Sequence, residues 1–438
     1  MTSREAARPR RVLQTLPDLQ VGGGQVIALN AIRHLPRSKY HFEQLALAPE
    51  LAEMVPDFRE LGVEPVLIDH DRSDTARGVA AIAKVIRERR IDLVHIHGAG
   101  ERRLVMPAAY VAGVPVVCHV HGEWVHLGVH PPPDASPAAR ARAQVMGYAR
   151  DWVEHRATRL YLADSTAAAE NYRPFVRSPI VTMTQSMPFD LMAEARSAHD
   201  DRAWRSALEL GPGPVAINVS RAVVGKGQDR LIRAFRSVVD RVPDAQLVLV
   251  GDGDLRGEHE QLARELGVEG NLRFLGTRRD IPALLVGADL FAFTSLTESF
   301  GLVVGEAMTA RLPVLSYRLP SLDTFSEHGV TGYYPEQDDE ASFVAHFCEL
   351  LSDEARRRRM GQAGFERVAQ RFPIDATARS VDAAYRWVLE ESPSRHQRRP
   401  LRARSGSVEA PPSAVPSGPC SGQAVGAGAD VRSWPVTP

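Results

Sequence analysis

Three observations predict an α/β protein built of two doubly wound parallel-sheet domains. Short runs of Val, Ile and Leu alternate with longer amphipathic stretches, the pattern of parallel strands joined by helices. The pattern occurs twice, and residues 189–213 between the two occurrences carry no strand signal. At 438 residues the chain also exceeds what one hydrophobic core usually supports.

In the first half, strands are expected at RRVLQTL, FEQLALA, EPVLID, DLVHIHG, VPVVCHVHG, RLYLADS and SPIVTMTQ, with helices between most of them. In the second half they are expected at PVAINVSR, AQLVLVGDG, NLRFLGT, ADLFAFTS and LPVLSYR, separated by helices such as GQDRLIRAFRSVVDRV and GEHEQLARELGV. The apolar run Leu104–Val120 contains Pro107, Gly113 and Pro115 and is shorter than the ~20 residues of a spanning helix, so it reads as a helix followed by a strand. The expected organisation is a first domain over 10–195, a second over 196–373, a helix over 374–392 that packs back on the first domain, and a disordered tail over 393–438. That tail holds eight prolines, many small residues and the basic segment RHQRRPLRAR, a candidate for contact with acidic phospholipid.

A composition of 44% hydrophobic and 24% charged residues, with formal net charge -1, gives no overall field for nucleic acid. Cys118, Cys348 and Cys420 are too few and too far apart for a disulfide framework or a zinc ribbon, and they suit a reducing compartment. The N-terminus has basic residues without a following apolar core of signal-peptide length. A cytoplasmic protein is expected, peripheral at the inner membrane face if the basic segment binds lipid.

The segment TESFGLVVGEAM sets Glu298 and Glu306 eight residues apart across a glycine turn leading from a strand into a helix. Glu298 then stands at the C-terminal end of the strand, where open α/β sheets bind ligands. Free N–H groups around Gly301 suit an anion, and ionised Glu306 is an acceptor suited to paired hydroxyls such as those of a ribose. Upstream, SRAVVGKGQDRL puts Arg221 and Lys226 on one glycine-containing loop, two cations for a departing diphosphate. Taken singly, each feature reads better as a set of solvated surface charges.

Together, in this order and spacing, these features resemble the retaining GT-B glycosyltransferases of family 4, the group 1 glycosyltransferases. The resemblance covers roughly residues 10–390 and includes GGGQVIALNAI, DLVHIHG, VCHVHGEW, VGDG and NLRFLG. It implies two Rossmann-like domains facing a cleft, the first on the acceptor side and the second binding a nucleotide sugar. By resemblance, Arg221 and Lys226 bind the donor diphosphate, Glu298 the transferred sugar and Glu306 the ribose. His121 corresponds to the family's histidine near the reaction centre. Gly23 and Gly24 of the early glycine loop lie near the phosphates, and Ser299, Phe300, Gly301 and Leu302 complete the donor site. The implied activity is transfer of a hexose-type sugar, with retention, from a nucleoside diphosphate donor to a glycan, lipid-linked or small-molecule acceptor. UDP is favoured because it is common among similar enzymes, and no metal is expected.

Other chemistries fit less well. His95/His97 and His119/His121 have strand spacing and can in principle gather around zinc, but no nearby carboxylate or cysteine completes an evident site. Asp252 and Asp254 form a D-x-D where the resemblance expects a glycine loop, so a turn is expected there. The early glycine run lacks G-x-G-x-x-G, and the aromatics do not interleave with basic residues as a nucleic-acid stacking surface would. LPSLDTFSEHG replaces the family's paired glycine and Pro-Glu, TMTQSMPFD replaces an Asn-Gly turn, and Ser220 stands where a glycine usually precedes the arginine. These departures permit a catalytically silent nucleotide-sugar-binding partner, against which the intact His121, Arg221, Lys226, Glu298 and Glu306 argue; an epimerase of similar architecture is a second rival, but the Arg/Lys and E-x7-E combination fits transfer better.

Overall fold

A computed structural model describes residues 8–69, 75–121, 136–391 and 432–433. The chain forms two compact units: Met1–Gln185 with Asp375–Pro438, and Ser186–Ile374.

The first unit contains β1 (Arg10–Leu16), β2 (Tyr40–Ala46), β3 (Val66–Leu67), β4 (Leu93–Ile96), β5 (Val116–Val120), β6 (Thr158–Ala163) and β7 (Ile180–Thr182). The strands run parallel in the order β7-β6-β5-β4-β1-β2-β3, with Arg432–Ser433 pairing beyond β7. Every residue of β4, β5 and β6 is buried, as expected of strands covered on both faces. Pairing of Val120 with Ala163 and of Ile96 with Cys118 aligns the ends of β4, β5 and β6. The residues that follow these strands therefore come together. Helix Ala376–Arg386 packs against helix Gly23–His34 and buries Tyr385 in this unit.

The second unit contains β8 (Val215–Val219), β9 (Gln246–Val250), β10 (Leu272–Phe274), β11 (Leu290–Phe293), β12 (Val314–Ser316) and β13 (Gly332–Tyr333), parallel in the order β10-β9-β8-β11-β12-β13. The five strands read from the sequence fall in place, whereas β13 has only two residues and no apolar run to announce it. The units divide at Gln185/Ser186, ten residues before the expected boundary. Met187 and Met192 are buried in the second core and helix Phe189–Ala198 packs on helix Ile281–Gly287, so this strandless segment belongs wholly to the second unit. The rest of the tail beyond Glu391 lies outside the described residues.

The helix Leu302–Thr309, which carries Glu306, is seated by close approach of helix Glu354–Arg371. A Cβ on Gly361 would lie 2.0 Å from the carbonyl oxygen of Arg311, and one on Gly364 would lie 3.2 Å from Met308 Cγ. Only a residue without a side chain allows that first contact. Gly361→Ala should therefore lower Tm by several degrees in a thermal melt, through a cost of about 1–3 kcal/mol for overpacking. An unchanged Tm would contradict this packing.

Candidate active site

In the second unit the loop after β8 is fastened to the end of β11. Thr294 Oγ1 donates to the carbonyl of Gly227 (2.7 Å), and Leu296 N–H (2.8 Å) and Ser295 Oγ (3.2 Å) donate to that of Gly225. Gly227 has φ 64°, and a Cβ there would sit 2.2 Å from Thr294 O, so glycine is required on both counts. The fastening brings Lys226 Nζ to 2.7 Å from Glu298 Oε1. Two residues 72 positions apart thus share one contact, and both are only partly exposed, at 27% and 14%. Arg221 lies on the same loop and is exposed; its carbonyl accepts from Val223 N–H (2.9 Å), while its guanidinium has no hydrogen bond or ion pair among the described residues.

After Glu298 the chain turns through Gly301, whose φ of 80° starts the helix Leu302–Thr309. Glu306 stands in the second turn of that helix. Its carboxylate has no hydrogen-bond partner among the described residues, and burial pushes it up to about 7. The two glutamates are accordingly not a pair of alike solvated charges: one is held by a lysine, and the other is partly buried with its pKa raised by desolvation. Phe300 is buried against Phe325 and Phe372, so its side chain belongs to the core. Ser299 and Leu302 are partly buried. Asp252 accepts from Gly253 N–H (2.8 Å) and from Arg256 (3.2 Å), the geometry of a turn.

In the first unit the four histidines form one stack at the ends of β4 and β5. Ring centroids of His95 and His97 are 4.0 Å apart, and those of His119 and His121 are 4.2 Å apart. The expectation that no carboxylate stands beside them is corrected by Asp164, which follows β6. Its Oδ1 accepts from His119 Nε2–H (2.7 Å) and Gln185 Nε2–H (2.6 Å), and its Oδ2 accepts from His121 Nδ1–H (2.5 Å). Burial alone would raise the Asp164 pKa, yet His121 and His119 outweigh it and hold the carboxyl well below its ordinary range. Burial likewise opposes charge on His121, but Asp164, with Glu101, outweighs it and raises the imidazole pKa. His95 and His97 go the other way, driven well down by burial and by their imidazole neighbours. Burial pushes Glu101 up to about 7.

His95 Nδ1 is 2.7 Å from Tyr385 Oη. A ring nitrogen from each of His95, His97 and His119 lies within 4.8 Å of the others, as do atoms of His119, His121 and Asp164. Gly23 begins the first helix after β1, and a Cβ on Gly24 would be 3.5 Å from His121 Nε2. Of the residues expected at a site, the structure joins Lys226 to Glu298 in one unit and Gly24 to His121 in the other. Asp164, Gln185 and Tyr385 were not anticipated. The signal for Asp164 lay in the strand register, since parallel pairing of LYLAD with CHVH sets it beside His121.

A family model described as glycosyl transferases group 1 matches residues 200–367, and one described as glycosyltransferase family 4 matches residues 21–183. The chain belongs to the family 4, group 1 glycosyltransferases. Among curated relatives of this family member, N-acetyl-alpha-D-glucosaminyl L-malate synthase of Bacillus anthracis is 33% identical over 40% of this chain and 46% of its own. A GDP-mannose-dependent alpha-(1-6)-phosphatidylinositol monomannoside mannosyltransferase of Mycobacterium tuberculosis is 29% identical over 67% of this chain and 76% of its own. The chain spans about half the length of the first curated relatives it matches. Anabaena Alr3699/HepE, solved in complex with UDP and glucose, aligns with TM-score 0.70 at 20% identity, covering 86% of this chain and 99% of its own. The family's GT-B fold, two Rossmann-like domains, is thus shared.

Glu306 makes this site measurable without a substrate. Unfolded, a glutamate ionises near 4.3; folded, this one does so at about 7. Between those values the folded state binds more protons, so the group's contribution to stability falls as pH rises and is most unfavourable above about 7. Glu306→Gln should raise Tm by on the order of 3 °C at pH 8 and by less at pH 5. An equal change at both pH values would show that Glu306 is not desolvated.

Proposed function

We propose that this family member transfers a hexose-type sugar from a nucleoside diphosphate donor to a glycan, lipid-linked or small-molecule acceptor, with retention of anomeric configuration and without a metal. The observation that carries the reading is the Lys226–Glu298 contact, on a loop that also holds Arg221 and at the strand end from which the chain runs on to Glu306. Arg221 and Lys226 supply two cations on one fastened loop, suited to a diphosphate that gains charge as the glycosidic bond breaks. When phosphate draws Lys226, Glu298 exchanges an ammonium for sugar hydroxyls, one charge-assisted hydrogen bond for another. Glu306 takes the ribose hydroxyls, and His121 takes the transferred sugar.

No carboxylate in this assignment is a covalent nucleophile, so retention proceeds by same-face attack within an ion-pair-like transition state. Cations in place of a metal suit an Asp252 already engaged by its own turn. UDP is the first nucleotide to test and GDP the second, because the Mycobacterium tuberculosis relative is GDP-mannose-dependent by name. No helix among the described residues is long and apolar enough to cross a membrane. A cytoplasmic site of action, with the basic segment RHQRRPLRAR as the contact for an acidic membrane face, belongs to the same proposal.

Donor turnover, followed as nucleoside diphosphate release with and without acceptor, tests the assignment. Arg221→Ala and Lys226→Ala should each slow turnover by on the order of a hundredfold while leaving the fold intact. Near-wild-type rates in both variants, or no turnover of any nucleotide sugar by the wild type, would overturn it.

The two glutamates should separate kinetically. Glu306→Gln is expected to weaken nucleoside diphosphate binding by about 1.5–3 kcal/mol, whereas Glu298→Gln should impair transfer and sugar discrimination. Calorimetry showing the reverse assignment of binding losses would contradict the ribose and sugar roles.

A further inference from the structure

The histidine stack contains an arrangement that the donor-site assignment does not use. The carboxylate of Asp164 is fully enclosed and triply engaged, by His119, His121 and Gln185. Gln185 is itself 3.4 Å from Thr377 Oγ1, so the cradle is anchored on the segment that returns to the first domain. An ionised carboxylate only accepts hydrogen bonds, so both imidazole nitrogens that face it must carry protons. For His121 the protonated atom is Nδ1. Its other nitrogen, Nε2, is shielded from solvent, makes no hydrogen bond among the described residues, and lies against Gly24 and the backbone carbonyl of His97, which favours a proton on the ring.

We propose that Asp164 is a positioning residue: by accepting Nδ1–H of His121 it fixes the ring orientation and leaves Nε2 as the atom offered to a bound sugar. The inference rests on the nucleotide-sugar reading for the sugar and on the geometry for the tautomer. A neutral imidazole held this way accepts a hydrogen bond from a hydroxyl at Nε2, and its protonated form donates one there. Gly24 packs close beside that nitrogen, since a methyl group at its Cα would already stand in van der Waals contact at 3.5 Å.

The groups facing His121 among the described residues are consistent with this role. Burial opposes charge on His121, while Asp164, Glu101 and the backbone carbonyl of His97 favour it; burial also disfavours charge on His119, stacked on it from β5, and on the His97 ring, from the end of β4. No acidic residue stands in the first turn of the helix that contains Gly24. A metal accounts less well for the same residues. The ring planes of His119 and His121 are stacked at 27°, and the nitrogens that face Asp164 are engaged in hydrogen bonds to it, as is Gln185 Nε2.

The test is a 15N NMR titration of the histidine-labelled full chain, with His121→Ala assigning the resonance. The expected result is a neutral form protonated at Nδ1 and a pKa above the ordinary histidine value of about 6.5. Asp164→Asn, nearly isosteric, should lower that pKa, mix the tautomers, and reduce kcat for donor turnover tenfold or more with KM within twofold. A wild-type His121 protonated at Nε2, or titrating below the ordinary value, overturns the proposal even if Asp164→Asn fails to fold. So does a folded Asp164→Asn with unchanged kcat, or stoichiometric zinc in the purified chain by atomic emission. If the wild type turns over no nucleotide sugar yet shows the expected tautomer, the functional reading fails and the Asp164–His121 geometry stands.

Discussion

Hydrogen bonds from the end of β11 to the carbonyls of Gly225 and Gly227 are the constraint on which the second domain's site depends. In an open parallel sheet the loops leave from the same edge, and their polar backbone groups must find partners there. Here Thr294, Ser295 and Leu296 supply those partners to the neighbouring loop. The exchange satisfies the backbone and sets the position of Lys226 at the same time. Glu298, four residues beyond Thr294, then has a cation within hydrogen-bonding reach rather than an uncompensated charge.

Charge at the two strand edges is handled in contrasting ways. In the second domain Lys226 and Glu298 neutralise one another while Glu306 is left desolvated, a cost that a ligand with hydroxyl donors can offset. In the first domain a single buried carboxylate organises the histidine stack, and the rings farther from it are kept neutral by burial. Both arrangements place partly satisfied polar groups where the sheet ends. Such groups are destabilising in the empty protein and become useful when something binds.

Much of this was legible in the residues. Buried parallel strands announce themselves as Val, Ile and Leu runs, and twelve such runs have counterparts in the structure. β13 was invisible because Gly332 and Tyr333 are too few to carry a pattern, and the early domain junction was missed because strandless sequence says nothing about which core it joins. The Lys226–Glu298 contact was anticipated only as two roles in one site; their direct bond depends on loop backbone that no spacing rule encodes. Asp164 lies 43 residues from His121 and belongs to no motif. It becomes a partner through the register of β5 and β6, which is a tertiary fact. Phe300 is a motif residue whose side chain is committed to the core, which the motif alone did not announce.

The central claim is that the loop carrying Arg221 and Lys226 reads a diphosphate. Calorimetric titration of the full chain with UDP and GDP, each against its own monophosphate, tests it most directly. At least one diphosphate should bind ten times or more tighter than its monophosphate, a difference of about 1.4 kcal/mol. Equal affinity for mono- and diphosphate in both pairs, or no binding of either diphosphate, would contradict the account.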